Sequence, residues 1–314
     1  MIPNFDSAPE LPQLALGGVQ FGLPYGVANR LGQPHPTVVR EILRAAFDGG
    51  VKTIDTAAAY GNSEAVIGYA LRELGLKDEF LVVTKIQPLT EEERQDERLA
   101  REAIRSSLTR SLDVLGVDSL PVVLFHRDAD SVMLPVLREF RQKGLVQRVG
   151  VSCANATPEV PEWILQTPMD AVQIPGSLVD QRYLRSGVAA NVRCKGGLVF
   201  VRSVYLQGLM LLAPDRLPAH LDQFAPVVHY LTSVADAYHT TVAELALRFL
   251  LRESDISHVV IGMESVEQVK SNLRIVEQGP LDDELCELIQ SGMPEFPRES
   301  LVPAIWETLR GRSK

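Results

Sequence analysis

The hydrophobic positions of this chain alternate between short runs rich in β-branched residues and longer segments in which apolar residues recur with the helical period. The short runs predict eight strands, at residues 13–20, 52–56, 80–85, 121–126, 147–152, 171–175, 198–203 and 258–262. The segments between them predict helices at about 36–49, 63–75, 97–116, 131–143, 158–166, 181–190, 221–252 (as two helices) and 265–276. Strands that alternate with helices indicate βα units and a parallel sheet.

Eight consecutive βα units predict a closed barrel, the (β/α)8 TIM barrel of the α/β class, rather than an open sheet. A chain of 314 residues fits one such domain, so we predict a single domain over residues 1–314. Ser265, with Gln268 three residues later, is typical of a capping box at the start of the eighth helix. The C-terminal part predicts extra helices, one beginning at Asp282 and a last one over 299–310.

Composition and charge exclude several classes of protein. The 31 basic and 40 acidic residues give a net charge of −9, and the basic residues form no run, so we expect no nucleic-acid partner. The first residues lack the features of a signal peptide and no apolar stretch is long enough to span a bilayer, so we expect a cytoplasmic protein that does not enter membranes. The cysteines are odd in number and widely spaced, which predicts reduced thiols and no metal site: Cys153, Cys194 and Cys286.

Polar residues stand at the predicted C-terminal ends of the strands, where a barrel of this kind has its active site. The strand residues concerned are Asp55, Lys85, His126, Ser152, Gln173, Arg202 and Ser203. Tyr60 follows Asp55 by five residues, on the loop above the barrel. An acid, a cation, an imidazole and a phenol are therefore predicted to meet at one mouth.

These residue types together favour proton transfer to a carbonyl oxygen. Lys85 beside Tyr60 is expected to lower the pKa of the phenol from its ordinary value near 10, which makes Tyr60 a usable general acid. Asp55 would hold Lys85, and His126 would donate a hydrogen bond that orients the carbonyl. Taken singly, Asp55 could be a turn cap and His126 a core histidine, and only their joint occurrence at successive strand ends favours a catalytic set. The hydride must come from a cofactor.

The motifs around these residues resemble one enzyme family. The segment from Asp55 to Glu64, DTAAAYGNSE, resembles the aldo-keto reductase motif around its aspartate and tyrosine. Thr84–Lys85 and Leu124–Phe125–His126 resemble the lysine and histidine strands of that family, and the resemblance extends over about residues 13–290. It implies an NAD(P)-dependent oxidoreductase that reduces an aldehyde or ketone with Asp55, Tyr60, Lys85 and His126.

The resemblance also implies a cofactor site. Ser152 and Gln173 match the pair that binds the carboxamide, although Cys153 replaces the usual asparagine, and Arg202 stands where the family often stacks an aromatic ring on the nicotinamide. The remaining implied contacts are Ser203, Gly262, Glu264, Ser265, Gln268 and Asn272. The choice between NADP and NAD stays open, because Glu264 would repel a 2′-phosphate whereas the family usually prefers NADP.

The substrate is expected to be a small carbonyl compound in a pocket lined by Gln20. The stretch RSVYLQGL from Arg202 resembles a bacterial subgroup with regulatory and sugar-locus members, so a sugar-like substrate is one hypothesis. A second is a non-catalytic NAD(H)-binding sensor on the same fold, and a third is an aldolase with Lys85 as Schiff-base nucleophile. A metal-dependent hydrolase is disfavoured, since only His126 among the histidines stands at a strand end. The sequence does not indicate an oligomeric state.

Overall fold

Eight parallel strands close into a barrel in the computed structural model, which describes residues 12–30, 32–153, 160, 162–303 and 306. Each strand pairs with its neighbour in sequence, and the eighth pairs with the first. The strands are β1 Gln13–Gly17, β2 Thr53–Asp55, β3 Leu81–Ile86, β4 Leu120–Phe125, β5 Val146–Ser152, β6 Ala171–Pro175, β7 Leu198–Arg202 and β8 His258–Gly262. The predicted (β/α)8 barrel is confirmed.

Helices follow the strands and form the outer layer. In chain order they are α1 Val19–Gly22, α2 Pro36–Asp48, α3 Ser63–Leu74, α4 Glu91–Gln95, α5 Glu97–Leu115, α6 Leu134–Gln142, α7 Trp163–Gln166, α8 Val188–Arg193, α9 Ala225–Ala237, α10 Val242–Leu250, α11 Val266–Glu277 and α12 Asp283–Gly292. Short 3-10 helices lie at Asp128–Met133, Leu209–Leu211, Pro214–Arg216, Ala219–Phe224 and Arg298–Leu301. Among the described helices, none has the length and apolar character needed to cross a membrane.

The inside of the barrel is filled by its own small apolar core, separate from the larger core between strands and helices. Its members are Ala15, Leu81, Val83, Val122, Leu124, Ala171, Leu198, Phe200 and Val260. Because side chains alternate between the two faces of a strand, the inward series Leu81 and Val83 continues to Lys85. The same alternation carries Val122 and Leu124 on to His126. Lys85 and His126 therefore both lie on the inward face, at the barrel mouth.

The first strand is shorter than predicted. The sequence pattern predicts a strand over 13–20, but β1 ends at Gly17 and the chain turns directly into α1. The amide of Gly18 donates to the carbonyl of Asp55 at 2.7 Å, after which the chain leaves the sheet. Gly22 makes the tight turn possible, since a Cβ there would overlap the carbonyl oxygen of Tyr60. Gln20 consequently lies on a helical turn rather than at a strand end.

Two predicted helices also differ. The predicted helix 181–190 is a series of turns up to Gly187, whose φ of +79° prevents a regular helix, and α8 begins only at Val188. Residues 158, 159 and 161 of the predicted helix 158–166, and half of the predicted helix 299–310 (residues 304, 305 and 307–310), lie outside the described residues. The prediction that 221–252 forms two helices is confirmed by α9 and α10.

Candidate active site

A buried ion pair joins β2 and β3 at the barrel mouth. Lys85 Nζ donates to Asp55 Oδ1 and Oδ2 at 2.7 and 2.8 Å, and to the carbonyl oxygen of Thr56 at 2.9 Å. The Lys85 side chain is 1 % exposed and the Asp55 side chain 6 %. All three N–H groups of the ammonium are thus occupied. Burial lowers the pKa of Lys85, and the Asp55 carboxylate opposes this change. The geometry agrees with the role expected of Asp55 as the holder of Lys85.

A relay of side chains continues from Asp55 across the barrel. Gln173 Nε2 on β6 donates to Asp55 Oδ1 at 2.7 Å, and Ser152 Oγ on β5 donates to Gln173 Oε1 at 2.9 Å. Gln173 is completely buried and does not line the cavity at the mouth, whereas Ser152 does. These two contacts use one N–H and one lone pair of the Gln173 amide, so the expected contact with a cofactor carboxamide stays a prediction. The contact to Asp55 Oδ1 also lets Gln173 position the carboxylate.

Tyr60 and His126 lie together above this ion pair. Their rings meet edge to face, with centroids 5.4 Å apart and planes at 89°. Lys85 Nζ lies 5.0 Å from the centre of the Tyr60 ring. Tyr60 is fixed by a tight turn between β2 and α3, in which its amide donates to the carbonyl of Ala57 at 3.0 Å. The structure thus brings Asp55, Tyr60, Lys85 and His126 to one place, although they come from two strands and from the segments that follow β2 and β4.

The pKa of Tyr60 is raised, and the expectation that Lys85 lowers it is wrong for the protein without ligand. Burial of the phenol is the largest cause, and the negative charge of Asp55 adds to it, while Arg202 opposes both. The positive charge of Lys85 is compensated by its contact with Asp55. Tyr60 is therefore a neutral phenol, which can donate a proton.

The imidazole of His126 is also neutral. Burial is the main reason that its pKa falls to about 3, and the positive charges of Lys85, Arg202 and Arg127 lower it further. Its Nδ1 atom is buried without a hydrogen-bond partner among the described residues. A neutral imidazole carries one N–H, so His126 can donate one hydrogen bond to a ligand.

A cavity of about 570 Å³ opens above these groups. The predicted residues on its wall are Gln20, Asp55, Tyr60, His126, Ser152, Arg202, Ser203, Gly262, Glu264, Gln268 and Asn272. Lys85, Gln173 and Ser265 do not line it. Pockets for cofactors and small ligands commonly have a volume of this order. One continuous cavity therefore connects the catalytic group with the segment after β8.

Gln20 and Gly262 form one part of the wall by direct packing. A Cβ on Gly262 would overlap the amide of Gln20, so the glycine leaves the room that this side chain occupies. Gln20 Oε1 is buried and has no hydrogen-bond partner among the described residues. A buried acceptor of this kind is costly unless a donor reaches it, so this position favours a ligand with a hydroxyl or amide hydrogen.

The segment after β8 is ordered by its own side chains. Ser265 Oγ accepts from the amide of Gln268 at 3.2 Å and caps α11, while Gln268 Oε1 accepts from the amide of Glu264 at 2.6 Å. The predicted cap is confirmed, but the side chain of Gln268 reaches one residue further back than a capping box requires. Partial burial raises the pKa of Glu264.

The sequence analysis missed five polar residues on the cavity wall: Tyr25, Asn29, Tyr205, Gln207 and Ser271. Ser271 lies on α11, and the other four lie in the segments after α1 and after β7, which meet where the amide of Val27 donates to the carbonyl of Gln207 at 3.0 Å. The second segment contains Ser203, Leu206 and Gln207 with φ of 66°, 46° and 57°. Leucine and glutamine do not signal a left-handed backbone, so no local pattern indicated this loop.

Comparison with known proteins places the chain in a family. The model of the Aldo/keto reductase family matches residues 13–292. The NADH-specific methylglyoxal reductase of Escherichia coli K12 is 26% identical over 257 residues, which cover 71% of this chain and 78% of that protein. An aldo-keto reductase of Mycobacterium ulcerans is 31% identical over 244 residues, 74% of this chain and 75% of that one.

A solved structure shows the same fold. The glycerol dehydrogenase of Gluconobacter oxydans superposes with a TM-score of 0.70 at 21% identity, covering 93% of both chains. The family match extends from β1 to the end of α12 and so includes every strand of the barrel. This chain belongs to the aldo/keto reductase family.

Proposed function

We propose that this protein reduces an aldehyde or ketone to an alcohol with NADH, and that Tyr60 is the general acid. The observation that carries the proposal is the buried Asp55–Lys85 pair beneath Tyr60 and His126, at the floor of a cavity long enough to extend past β8. A Schiff base on Lys85 fits less well, because its Nζ is held by three acceptors and does not line the cavity.

The proposed catalytic residues have different roles in proton transfer. Tyr60, neutral in the free protein, donates its proton to the carbonyl oxygen as negative charge develops there. His126 donates its one hydrogen bond to the same oxygen and orients the carbonyl. The phenolate that remains on Tyr60 is stabilised by the nearby positive charge of Arg202. Asp55 keeps Lys85 in position, and Gln173 keeps Asp55 in position.

The wall of the cavity fits a nicotinamide cofactor, which supplies the hydride when bound. Gln20 Oε1 and His126 Nδ1 are buried polar atoms that lack partners among the described residues, as expected where a polar ligand completes the site. Ser152 would hold the nicotinamide end and Arg202 would lie beside it. Glu264, Gln268 and Asn272 would hold the adenosine end.

The charges on this wall favour NADH over NADPH. A 2′-phosphate carries about −1.5 to −2 charges and needs cationic donors. Among the described residues that line the cavity, Arg202 on β7 is the single arginine or lysine, and Glu264 lies after β8. The methylglyoxal reductase of Escherichia coli, named as NADH-specific, is a relative with the same preference.

Titration and turnover test the proposal together. Quenching of protein fluorescence by NADH and NADPH gives the two dissociation constants, and loss of absorbance with a panel of aldehydes, ketones and sugars gives turnover. Binding without any turnover would favour the sensor hypothesis, and no binding would refute the cofactor site.

The variant Tyr60→Phe tests the general acid. We expect kcat to fall by about 10²–10⁴, the usual contribution of general acid catalysis, while the dissociation constant for NADH changes less than about twofold. Tyr69→Phe is the matched control, since Tyr69 is 55% exposed on α3. Full activity of the Tyr60 variant would exclude the proposed role.

A further inference from the structure

Arg202 carries a positive charge into the cavity and forms no ion pair with a carboxylate of the part of the chain that the structure describes. It is the last residue of β7, half-buried, and lines the cavity with Tyr60 and His126. Its Nη2 donates to the carbonyl oxygen of Cys153 at 2.7 Å, and its Nη1 donates to Ser203 Oγ at 2.9 Å. Both acceptors are neutral, and among the described residues no carboxylate forms an ion pair with it. The guanidinium is thus fixed in place but not neutralised.

The catalytic end of the cavity therefore carries one net positive charge. The charges of Asp55 and Lys85 compensate each other at 2.7 Å, and His126 is neutral. Glu264, the other carboxylate on the wall, stands beyond β8 and not at the catalytic group. Burying a cation is unfavourable unless a counter-charge reaches it, so the site favours an anionic ligand.

The shape and number of donors favour a carboxylate among anions. A guanidinium presents five N–H groups in a planar fork that matches the two oxygens of a carboxylate, and Cys153 and Ser203 occupy only two of them. A phosphate, with about −1.5 to −2 charges, would leave excess negative charge against this single cation. We propose that the carbonyl substrate also bears a carboxylate group, and that Arg202 binds this carboxylate and sets the substrate class.

Two neutral side chains lie on the same cavity wall as Arg202 and can also contact the substrate. Tyr25 and Gln207 line the same cavity, and the Gln207 side chain is hydrogen-bonded to the Tyr25 phenol. They can bind hydroxyl groups that lie between the carbonyl and the carboxylate. Stacking on a nicotinamide would use the flat face of the guanidinium, whereas carboxylate binding uses its N–H edge, so the two roles do not compete. This inference rests on the proposed reduction of a carbonyl.

Matched pairs of substrates test the inference. Each pair has the same carbonyl and differs in one terminal group, a carboxylate or a hydroxymethyl: glyoxylate and glycolaldehyde, succinic semialdehyde and 4-hydroxybutanal, glucuronate and glucose. The three pairs place the carboxylate at increasing distance from the aldehyde. With saturating NADH, we expect kcat/KM for the acid to exceed that of its neutral partner at least tenfold in one pair, through a lower KM.

The variants separate binding of the carboxylate from other effects. Arg202→Gln should remove the preference by raising KM for the acid at least tenfold, so that kcat/KM falls at least tenfold more for the acid than for its neutral partner. Arg202→Lys, which keeps the charge but not the planar fork, should retain an intermediate preference. Arg127→Gln is the control, because Arg127 is exposed, lies next to His126 in the chain and does not line the cavity.

Four results would overturn the inference. Equal loss for acid and neutral partners in Arg202→Gln, together with weaker NADH binding by fluorescence, would show that Arg202 serves the cofactor instead. Turnover of neutral aldehydes without any acid preference would refute the inference and leave the proposed function intact. Preference for glucose 6-phosphate over glucuronate would assign a phosphate. If NADH binds and no carbonyl in any pair is reduced, the proposed function fails and the inference fails with it.

Discussion

Replacing Lys85 with methionine would leave the Asp55 carboxylate buried without its counter-charge. The substitution removes three hydrogen bonds of 2.7–2.9 Å, and of the contacts to the Asp55 carboxylate described above only that of Gln173 remains. Breaking a buried ion pair by removing one partner costs about 3–5 kcal/mol. The Lys85 and Asp55 side chains are 1% and 6% exposed, so little solvent can compensate. We expect a loss near the middle of that range, about 4 kcal/mol, in the free energy of unfolding.

The assay is urea unfolding followed by fluorescence and circular dichroism at pH 7, because coincident transitions confirm that one free energy describes the protein. The double variant Lys85→Met/Asp55→Asn removes both charges and should recover at least about 1 kcal/mol, since the isolated charge causes most of the loss. Lys195→Met, at an exposed position, is the control and should change stability by less than about 0.5 kcal/mol.

The same variant should also lose activity, because the negative charge of Asp55 already raises the pKa of Tyr60 and would no longer be compensated. A loss of stability below about 1 kcal/mol, which is the value of an exposed ion pair, would refute the reasoning. A double variant less stable than Lys85→Met would do the same, since it would show that the buried charge is not the cause.

Two further predictions concern the cofactor and the dependence of stability on pH. Glu264→Lys should tighten NADPH binding relative to NADH binding at least tenfold in fluorescence titration, because it replaces a carboxylate by a cation that can bind the 2′-phosphate. The control Glu267→Lys, at an exposed position nearby, should leave the ratio of the two dissociation constants unchanged. An unchanged ratio in Glu264→Lys would show that Glu264 does not face the 2′-position. Burial lowers the pKa of His258 from its ordinary value of 6.5 to about 4, so the unfolded chain binds more protons between these values and stability falls as pH drops from 6.5 to 4. The free energy of unfolding of His258→Leu, measured by urea unfolding, should fall less than that of wild type between pH 7 and pH 5. Some loss should remain in the variant, because the pKa of His126 is also lowered. Parallel pH profiles of the two proteins would show that His258 does not cause the loss.

The meeting of Asp55, Tyr60, Lys85 and His126 at the barrel mouth was predictable because it follows from two regular features of the fold. Strand alternation places Lys85 and His126 on the same inward face as the barrel core, and a parallel barrel gathers all strand ends at one mouth. The predicted direction of the Tyr60 pKa was wrong, because that pKa depends on burial in the folded protein and on the compensation of Lys85 by Asp55. The contact between Gln173 and the Asp55 carboxylate was not predicted either. Gln173 meets Asp55 across 118 positions of the chain, and no periodicity reports such a contact.

The sequence by itself determined the eight βα units, the closed barrel and the residue types at its mouth, since hydrophobic periodicity and strand order are local properties of the chain. Only the tertiary structure decided that Tyr60 and His126 are neutral, because both pKa values depend on burial and on charges brought from other strands. It also decided that Arg202 has no negative partner among the described residues and that Tyr25 and Gln207 join it on the cavity wall. These properties arise from distances between segments far apart in the chain, which a residue pattern does not encode.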